Sequence, residues 1–468
     1  MGQAPRHLVP SRSAADYFGA QLRHWRQLRG LSQQQLGRLT LHSGSLIGKV
    51  EKAERTPPPD LARRCDDILE TGGALQRLDP RASVDAQHER NAVSVVPSEV
   101  GLAWSSDLAD TVEVAGQLWR ADVQRRKVVI GAAWSAAAFA APARDWLAAW
   151  AAPNPTRADG RRVGAAEVGV VWSMCGTFAN LDHQLGGGHA RTTLAHYLST
   201  AVLPMLKGSY SQRTGRQLLA ATARLCDIGG FMAFDCRRPG LAQRYYVQAL
   251  RLAKDSGDRS IGAHILADMS MQAQYMGDGP EALALARAGQ RTARDCGSSL
   301  SMARCCALEA RAHALLGDGG SCGQAMSRAE RALTAATDEE PSWVTFFTSE
   351  QLAAEFMYAA GELGRHADVQ RFAPAVLASS AGMQRRLALA TTALASSYLP
   401  GSGTGNHTAD IDQACEVLRT AVPVAATLAS PRTVNMLHAV RAQLRAHRSR
   451  PAVEQLDSEM ESVLGAAS

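Results

Sequence analysis

Aromatic residues are scarce in this chain of 468 residues, 5% of the total, and Lys is scarcer still, since 45 of the 50 basic residues are Arg. Few rings and abundant Ala disfavour sheets and suit close-packed helices, so an all-α fold is expected. The Arg excess points to a GC-rich genome before it points to any mechanism. The nine Cys include no C-x-x-C pair, and only Cys305 and Cys306 are adjacent. Nothing there reads as a zinc site or a disulfide framework, and reduced thiols in a cytoplasm are expected. No Ser-His-Asp order or paired-carboxylate motif stands out, so neither an enzyme nor a cofactor is expected. The stretch "RRKVVIGAAWSAAAFAAPA" (125–143) imitates a twin-arginine export signal. It lies well inside the chain, and its apolar run is too short to span a bilayer. It reads as a buried helix, and no membrane partner is expected.

What the sequence does have is a local charge. Residues 1–55 hold nine Arg and Lys against three acids (Asp16, Glu51 and Glu54), whereas the remaining 413 residues hold 41 of each sign. The whole net charge of +6 therefore sits at the N-terminus, which suggests a local polyanion site. The length suffices for two or three domains. Residues 16–80 carry short amphipathic segments, and 81–107 lack helical periodicity and read as a linker. From 108 to 468 amphipathic helices follow one another between Gly- and Pro-containing corners.

That long region carries a repeat. An Ala, a packing residue four later and a small residue three after that recur as Ala242/Tyr246/Ala249, Ala282/Ala286/Gly289, Ala325/Ala329/Ala332 and Ala414/Leu418/Ala421. A weaker copy, Ala367/Arg371/Pro374, fills the gap. Small residues at i and i+7 let a helix lie close against a hairpin partner. Each copy follows another helical stretch and a Gly corner, as in "LEARAHALLGD". The pattern predicts helical hairpins stacked in series, as in tetratricopeptide arrays, with a period longer than the usual 34; a bundle of unrelated hairpins is the alternative.

Within the basic segment, "LSQQQLGRLTLHSGSLIGKVEKAER" (31–55) reads as two short helices and a corner. Ser32 is placed to cap a helix with Gln35 at the reciprocal position, and Ser43 to cap the next. Leu36 and Leu39 are expected on one face, Ile47 and Val50 on another, and Leu22, Trp25 and Leu28 form an upstream stripe. The spacing of a small residue (37), a corner residue (41) and two aliphatics (47, 50) is that of a DNA-binding helix-turn-helix.

On these residues, 17–78 resemble the Xre/Cro/C1-type repressor family, and "LSQQQLGRLT…SGSLIGKVEKAER" matches its signature. The resemblance implies a lambda-repressor-like domain that binds double-stranded DNA. It implies that Gln33 contacts a phosphate and that Ser43, Gly44 and Ser45 read base edges in the major groove, with Lys49 one turn on. Arg38 and Lys52 complete the implied DNA-facing set, and Arg26 with Glu51 makes a structural ion pair. Two positions depart from the family, Leu41 at a corner that usually carries Gly and Ala53 where a Gly follows the Glu. A left-handed Leu41 costs roughly 1–2 kcal/mol unless the corner differs. Gly44 and Ser45 offer little to a base edge, which shifts discrimination toward Lys49 and DNA shape.

The long helical part, with phrases such as "GLAQRYYVQALRLAKDSGDRSIGAHILADMS", is similar to the C-terminal region of a group of regulators from high-GC Gram-positive bacteria. In these a Cro/C1 domain precedes a tetratricopeptide-like sensor. The resemblance implies a cytoplasmic, dimeric transcriptional regulator with an effector that is a small molecule, a peptide or a protein. Residues expected on the effector face are Gln272, Gln274, Tyr275, His264, Glu309, His313, Phe356 and Tyr358, although Tyr275 and Tyr358 serve equally as hairpin core. A protein-interaction scaffold with a vestigial reader, or a plasmid- or phage-type repressor, are the competing functions.

Three other stretches carry less. In "LDHQLGGGHARTTLAHY" (181–197), His189 and His196 lie seven residues apart, too far on one helix to share a zinc, and no metal is expected. "PGSGTGNH" (400–407) lacks the GK[ST] of a phosphate loop. "CDIGGFMAFDCRR" (226–238) reads as a packed corner between helices.

Overall fold

Helix caps and left-handed glycines account for most of the segmentation of this chain. The computed structural model describes residues 14–58, 60–69, 71, 75, 101–102, 104–105, 107–124, 133–148, 156, 160–400 and 409–464. The chain divides into two units, 1–97 and 98–468, and every regular element among the described residues is helical.

In the first unit, α1 (Ala14–Leu28), α2 (Gln33–Leu39), α3 (Gly44–Glu51) and α4 (Leu61–Leu69) surround a core of Phe18, Leu22, Leu36, Ile47, Val50, Leu61 and Cys65. Ser32 caps α2 in a reciprocal box with Gln35, and the Ser43 hydroxyl caps α3 by accepting from the Leu46 amide. Two side chains depart from expectation: Leu28 is 63% exposed and Leu39 54%. The inward stripe of α1 is Phe18, Leu22 and Trp25, one turn earlier than the periodicity suggested. The inner face of α2 is made by Leu36 and Gly37, because the α2–α3 corner passes too close for a larger side chain.

The second unit begins with α5 (Leu108–Val123), α6 (Ala137–Leu147), α7 (Ala165–Leu185), α8 (Gly187–Tyr197) and, after a π turn over Leu198–Val202, α9 (Leu203–Leu206). Antiparallel hairpins follow: α10 (Gln212–Asp235) with α11 (Pro239–Ser256), α12 (Arg259–Tyr275) with α13 (Gly279–Cys296), and α14 (Ser299–Leu315) with α15 (Gly319–Thr334). Then come α16 (Ser349–Glu362) with α17 (His366–Ala378), α18 (Gln384–Ser396) with α19 (Ile411–Ala426), and α20 (Pro431–Leu444) followed by α21 (Pro451–Leu464). The corners share a local code. A left-handed Gly ends one helix and the next residue caps the following one, as at Gly257-Asp258, Gly277-Asp278, Gly297-Ser298 and Gly317-Asp318.

The repeated triplets sit on the second helix of each hairpin. Ala242, Tyr246, Ala249, Ala282, Ala286 and Gly289 are buried, as are Ala325, Ala329, Ala414, Leu418 and Ala421; Ala332 is half-buried. A Cβ on Gly289 would lie 2.6 Å from Cys305 Sγ, so the α13 backbone packs directly on the Cys305 side chain of α14. The copy Ala367/Arg371/Pro374 is misplaced by two residues. Ala367 and Pro374 are exposed, Arg371 is 68% exposed, and Val369, Ala373 and Val376 take the buried positions. Val369, Ala373 and Val376 lie on the opposite side of the helix from Ala367, and the side with the larger aliphatic residues takes the seam. Triplets therefore start at 242, 282, 325, 369 and 414.

Two further readings change. In the stretch 226–238 the corner lies only at its end, 236–238. Helix α10 runs unbroken through Gly229 and Gly230, because the Tyr245 and Tyr246 rings pack where Cβ atoms would stand, and the chain turns instead at the left-handed Arg237. Of the stretch 125–143, residues 133–136 are not helical and a helix runs on from Ala137; 125–132 lie outside the described residues, as do 81–100 and 401–408. The last described residues of the stretch read as a linker pack on α11: Gln248 donates to the Gly101 carbonyl, and Arg251 donates to the Ser105 carbonyl and lies over the Trp104 ring.

The hairpin series curls until its ends meet. Helix α18 touches α7, and α20 touches α10. The Ala429 backbone exchanges hydrogen bonds with Leu185 and Gly188, both 2.8 Å.

Candidate functional site

Glycine sets the approach of α3 to α2. A Cβ on Gly44 would lie 2.8 Å from Gln34 Cα, and one on Gly48 would lie 2.8 Å from Gln33 Oε1. Gly44, expected as a base reader, is thus a packing residue. The exposed Gln34 stands beside it, a neighbour the sequence reading did not single out. Two non-glycine residues are left-handed, Leu41 in the α2–α3 corner at φ 61° and Ala53 just after α3 at φ 55°. Each is a strain of about 1–2 kcal/mol.

The outward face of α3 carries Ser45 and Lys49, both exposed, and the half-buried Lys52, at spacings of four and three that place them on one stripe. Ser43 and Arg38 are exposed at its flank. Behind this stripe lies a buried brace. The Glu51 carboxylate, fully buried, accepts from Arg26 Nε at 2.5 Å and Nη2 at 3.0 Å, and from Gln33 Nε2 at 2.8 Å; Arg23 donates to the Glu51 carbonyl. Gln33 therefore points its amide nitrogen inward. A two-pronged guanidinium–carboxylate contact fixes orientation as well as distance, so α1, α2 and α3 move as one piece.

The second unit holds a half-open cavity of about 480 Å³ between α7, α10, α12, α14, α16, α18 and α20. The segment after α15 covers it. Glu340 caps α14 by accepting from the Ser299 and Leu300 amides, and Trp343 stacks on Trp172 of α7 with centroids 5.7 Å apart. Inside, guanidiniums lie over rings: Arg385 over Phe231 (4.7 Å), Arg432 over Tyr275 (5.1 Å), Arg311 over Tyr358 (5.2 Å) and Arg304 over Phe346 (5.4 Å).

At one end Asp227, His264 and Asp268 bring ligand atoms within 4.8 Å of one another. Arg224 is bonded to Asp227 and Arg304 to Asp268, and both guanidiniums also approach the imidazole, at 2.9 and 3.0 Å. A divalent cation there would have to displace two arginines. Burial, with Arg304 and Arg224 adding to it, pushes His264 well below its ordinary value, so it is neutral. Burial and the Asp268 carboxylate push Asp227 well above the carboxylate range.

Of the expected effector-face residues, His264, Tyr275 and Tyr358 line this cavity. Gln272 and Gln274 do not; both are buried between hairpins, donating to the carbonyls of Pro239 and Leu308. Glu309 is held by Arg287, Gln290 and Arg328 between α13, α14 and α15, with His313 beside it. Phe356 packs on Phe372 in a hairpin core. His189 and His196 are exposed on α8. The arginines were missed although a signal existed: Arg224, His264 and Arg304 are 40 residues apart, the repeat period applied to the first helices instead of the second.

No curated protein matches the chain. The family model of a helix-turn-helix domain matches residues 18–78, and the first unit therefore carries a helix-turn-helix domain.

Proposed function

We propose that the protein is a sequence-specific, DNA-binding transcriptional regulator, homodimeric and cytoplasmic. Its tetratricopeptide-like hairpin array senses a small molecule, peptide or protein and has no catalytic role. The observation that carries the reading is the Ser45/Lys49/Lys52 stripe, presented to solvent by a helix whose back is locked through Glu51 to Arg26 and Gln33. Base edges in a major groove are reached by such a stripe, and cations beside it bind phosphates. No described helix is long and apolar enough to cross a membrane.

The test is operator binding by the full chain carrying Arg38→Glu and Lys49→Glu, after genome-wide mapping of bound sites. Loss of binding with unchanged helicity is expected; unchanged binding removes the assignment. A scaffold reading draws on Gly44 and on the Ser43 hydroxyl spent as a cap, which leave few groups for base readout. Salt separates the two: a DNA reader loses affinity steeply as salt rises, and a scaffold shows no slope.

A further inference from the structure

The cavity in the array has the size of a small-molecule pocket, for which roughly 300–1,000 Å³ is usual. Its walls join two chemistries. Flat apolar surface comes from Phe231, Phe346, Tyr275, Tyr358 and Leu389. Six arginines face four acidic side chains (Asp182, Asp227, Asp268 and Glu355), and counting Asp235 just behind the wall still leaves a positive excess.

Two donors on residues of this wall, Arg311 Nε and Trp343 Nε1, are buried without a hydrogen-bond partner. Native interiors rarely leave such groups unpaired. Arg386 bonds the Ser379 and Ser380 hydroxyls and Gln351 Oε1 instead of a carboxylate. Gln351 in turn donates to Glu355, which pairs with Arg311. Arg386 and Arg311 thus share one side of the cavity, and the self-paired Asp227–His264–Asp268 group occupies the α10–α12 side.

We propose that this cavity binds a small organic anion with a flat apolar body: rings against Phe231, Tyr275 and Tyr358, and the anionic group against Arg311 and Arg386. An apolar neutral molecule leaves the donors unmatched, and a cation meets the positive excess. The assignment rests on reading the array as the effector module, and it is independent of DNA recognition.

The test uses the full chain and two dyes of one ring system, 1-anilinonaphthalene-8-sulfonate as the anion and N-phenyl-1-naphthylamine as its neutral twin. Fluorescence titration is expected to give one sulfonate dye per chain, bound at least about tenfold more tightly than the neutral dye. Arg386→Gln should erase most of that difference. Gly176→Phe should weaken binding of both dyes with an unchanged helical spectrum, since Gly176 stands at the exposed rim of the cavity and a Cβ there meets nothing within 4 Å. Equal affinity for the two dyes, many dyes per chain, or full binding by Gly176→Phe each overturns the proposal. Operator binding is measured on the same samples. Dye binding as expected without salt-dependent DNA binding overturns the regulator reading alone; DNA binding with no dye bound overturns the cavity assignment alone.

Discussion

Arg385 of α18 grips Asp182 of α7 through two hydrogen bonds, 2.6 and 3.0 Å, across 203 residues of chain. The same guanidinium reaches Asp235 of α10 at 3.3 Å, where Arg432 of α20 also binds. All four side chains are buried. This is the clasp by which the last hairpins close on the first, and it forms one wall of the cavity.

Removing one partner of such a clasp strands buried carboxylates. Arg385→Met is expected to destabilise the second unit by about 3–5 kcal/mol in denaturant unfolding. The control Arg371→Met removes an exposed i,i+3 pair with Asp368 and should cost no more than about 1 kcal/mol. Equal effects at the two sites contradict the clasp.

Acid should open it. Burial alone would raise the Asp235 pKa, but Arg385, Arg432, the Gly187 amide and the Ser430 hydroxyl together hold it below the usual carboxylate range. A lowered folded pKa contributes stability that is complete above the unfolded value, about 3.9, and is lost as pH falls through the folded one. Stability of the second unit should therefore fall as the pH drops below about 4. Asp235→Asn should be less stable than the parent at pH 7 and approach it in acid.

The strained corner of the first unit predicts opposite effects at neighbouring sites. Leu41 is left-handed and 77% exposed, so Leu41→Gly should stabilise the domain by up to about 1 kcal/mol, relief of strain being partly offset by a freer unfolded chain. Gly44→Ala drives a methyl against the Gln34 backbone and should cost about 1–3 kcal/mol. Thermal unfolding of both variants decides; a stabilising Gly44→Ala would show that the α2–α3 contact is looser than described.

The thiols should be inert in the native chain. Burial pushes Cys65, Cys175 and Cys305 up to about 12, and Cys236 and Cys306 to about 11. Slow reaction with a thiol-specific disulfide reagent at pH 8 is expected, with all nine Cys reacting in guanidinium. The half-buried Cys236 and Cys296 should react first, and a fast native phase beyond these two would locate an opening motion.

Local and periodic features were legible in the sequence. Ser32, Gln35 and Ser43 announce their caps because hydrogen bonds three residues apart need no tertiary partner. The Gly-Asp corners and most triplets follow from backbone sterics and one repeated helix contact. Errors arose where a local signal has two meanings. Gly229-Gly230 could end a helix or admit two Tyr rings, and only Tyr245 and Tyr246 decide. Leu39 and Arg371 obey helical spacing, yet face solvent because a neighbouring helix takes the other side.

The sequence by itself determined an all-helical chain with a basic helix-turn-helix followed by paired helices, since caps, corners and charge are short-range properties. Only the tertiary structure decided that the array closes on itself. It joined Arg385 and Arg432 to Asp182 and Asp235, and it turned an expected open face into a cavity lined by stacked arginines. Those partners lie some 150 to 200 residues apart, and their pairing depends on the summed curvature of every hairpin between them, which no local pattern encodes.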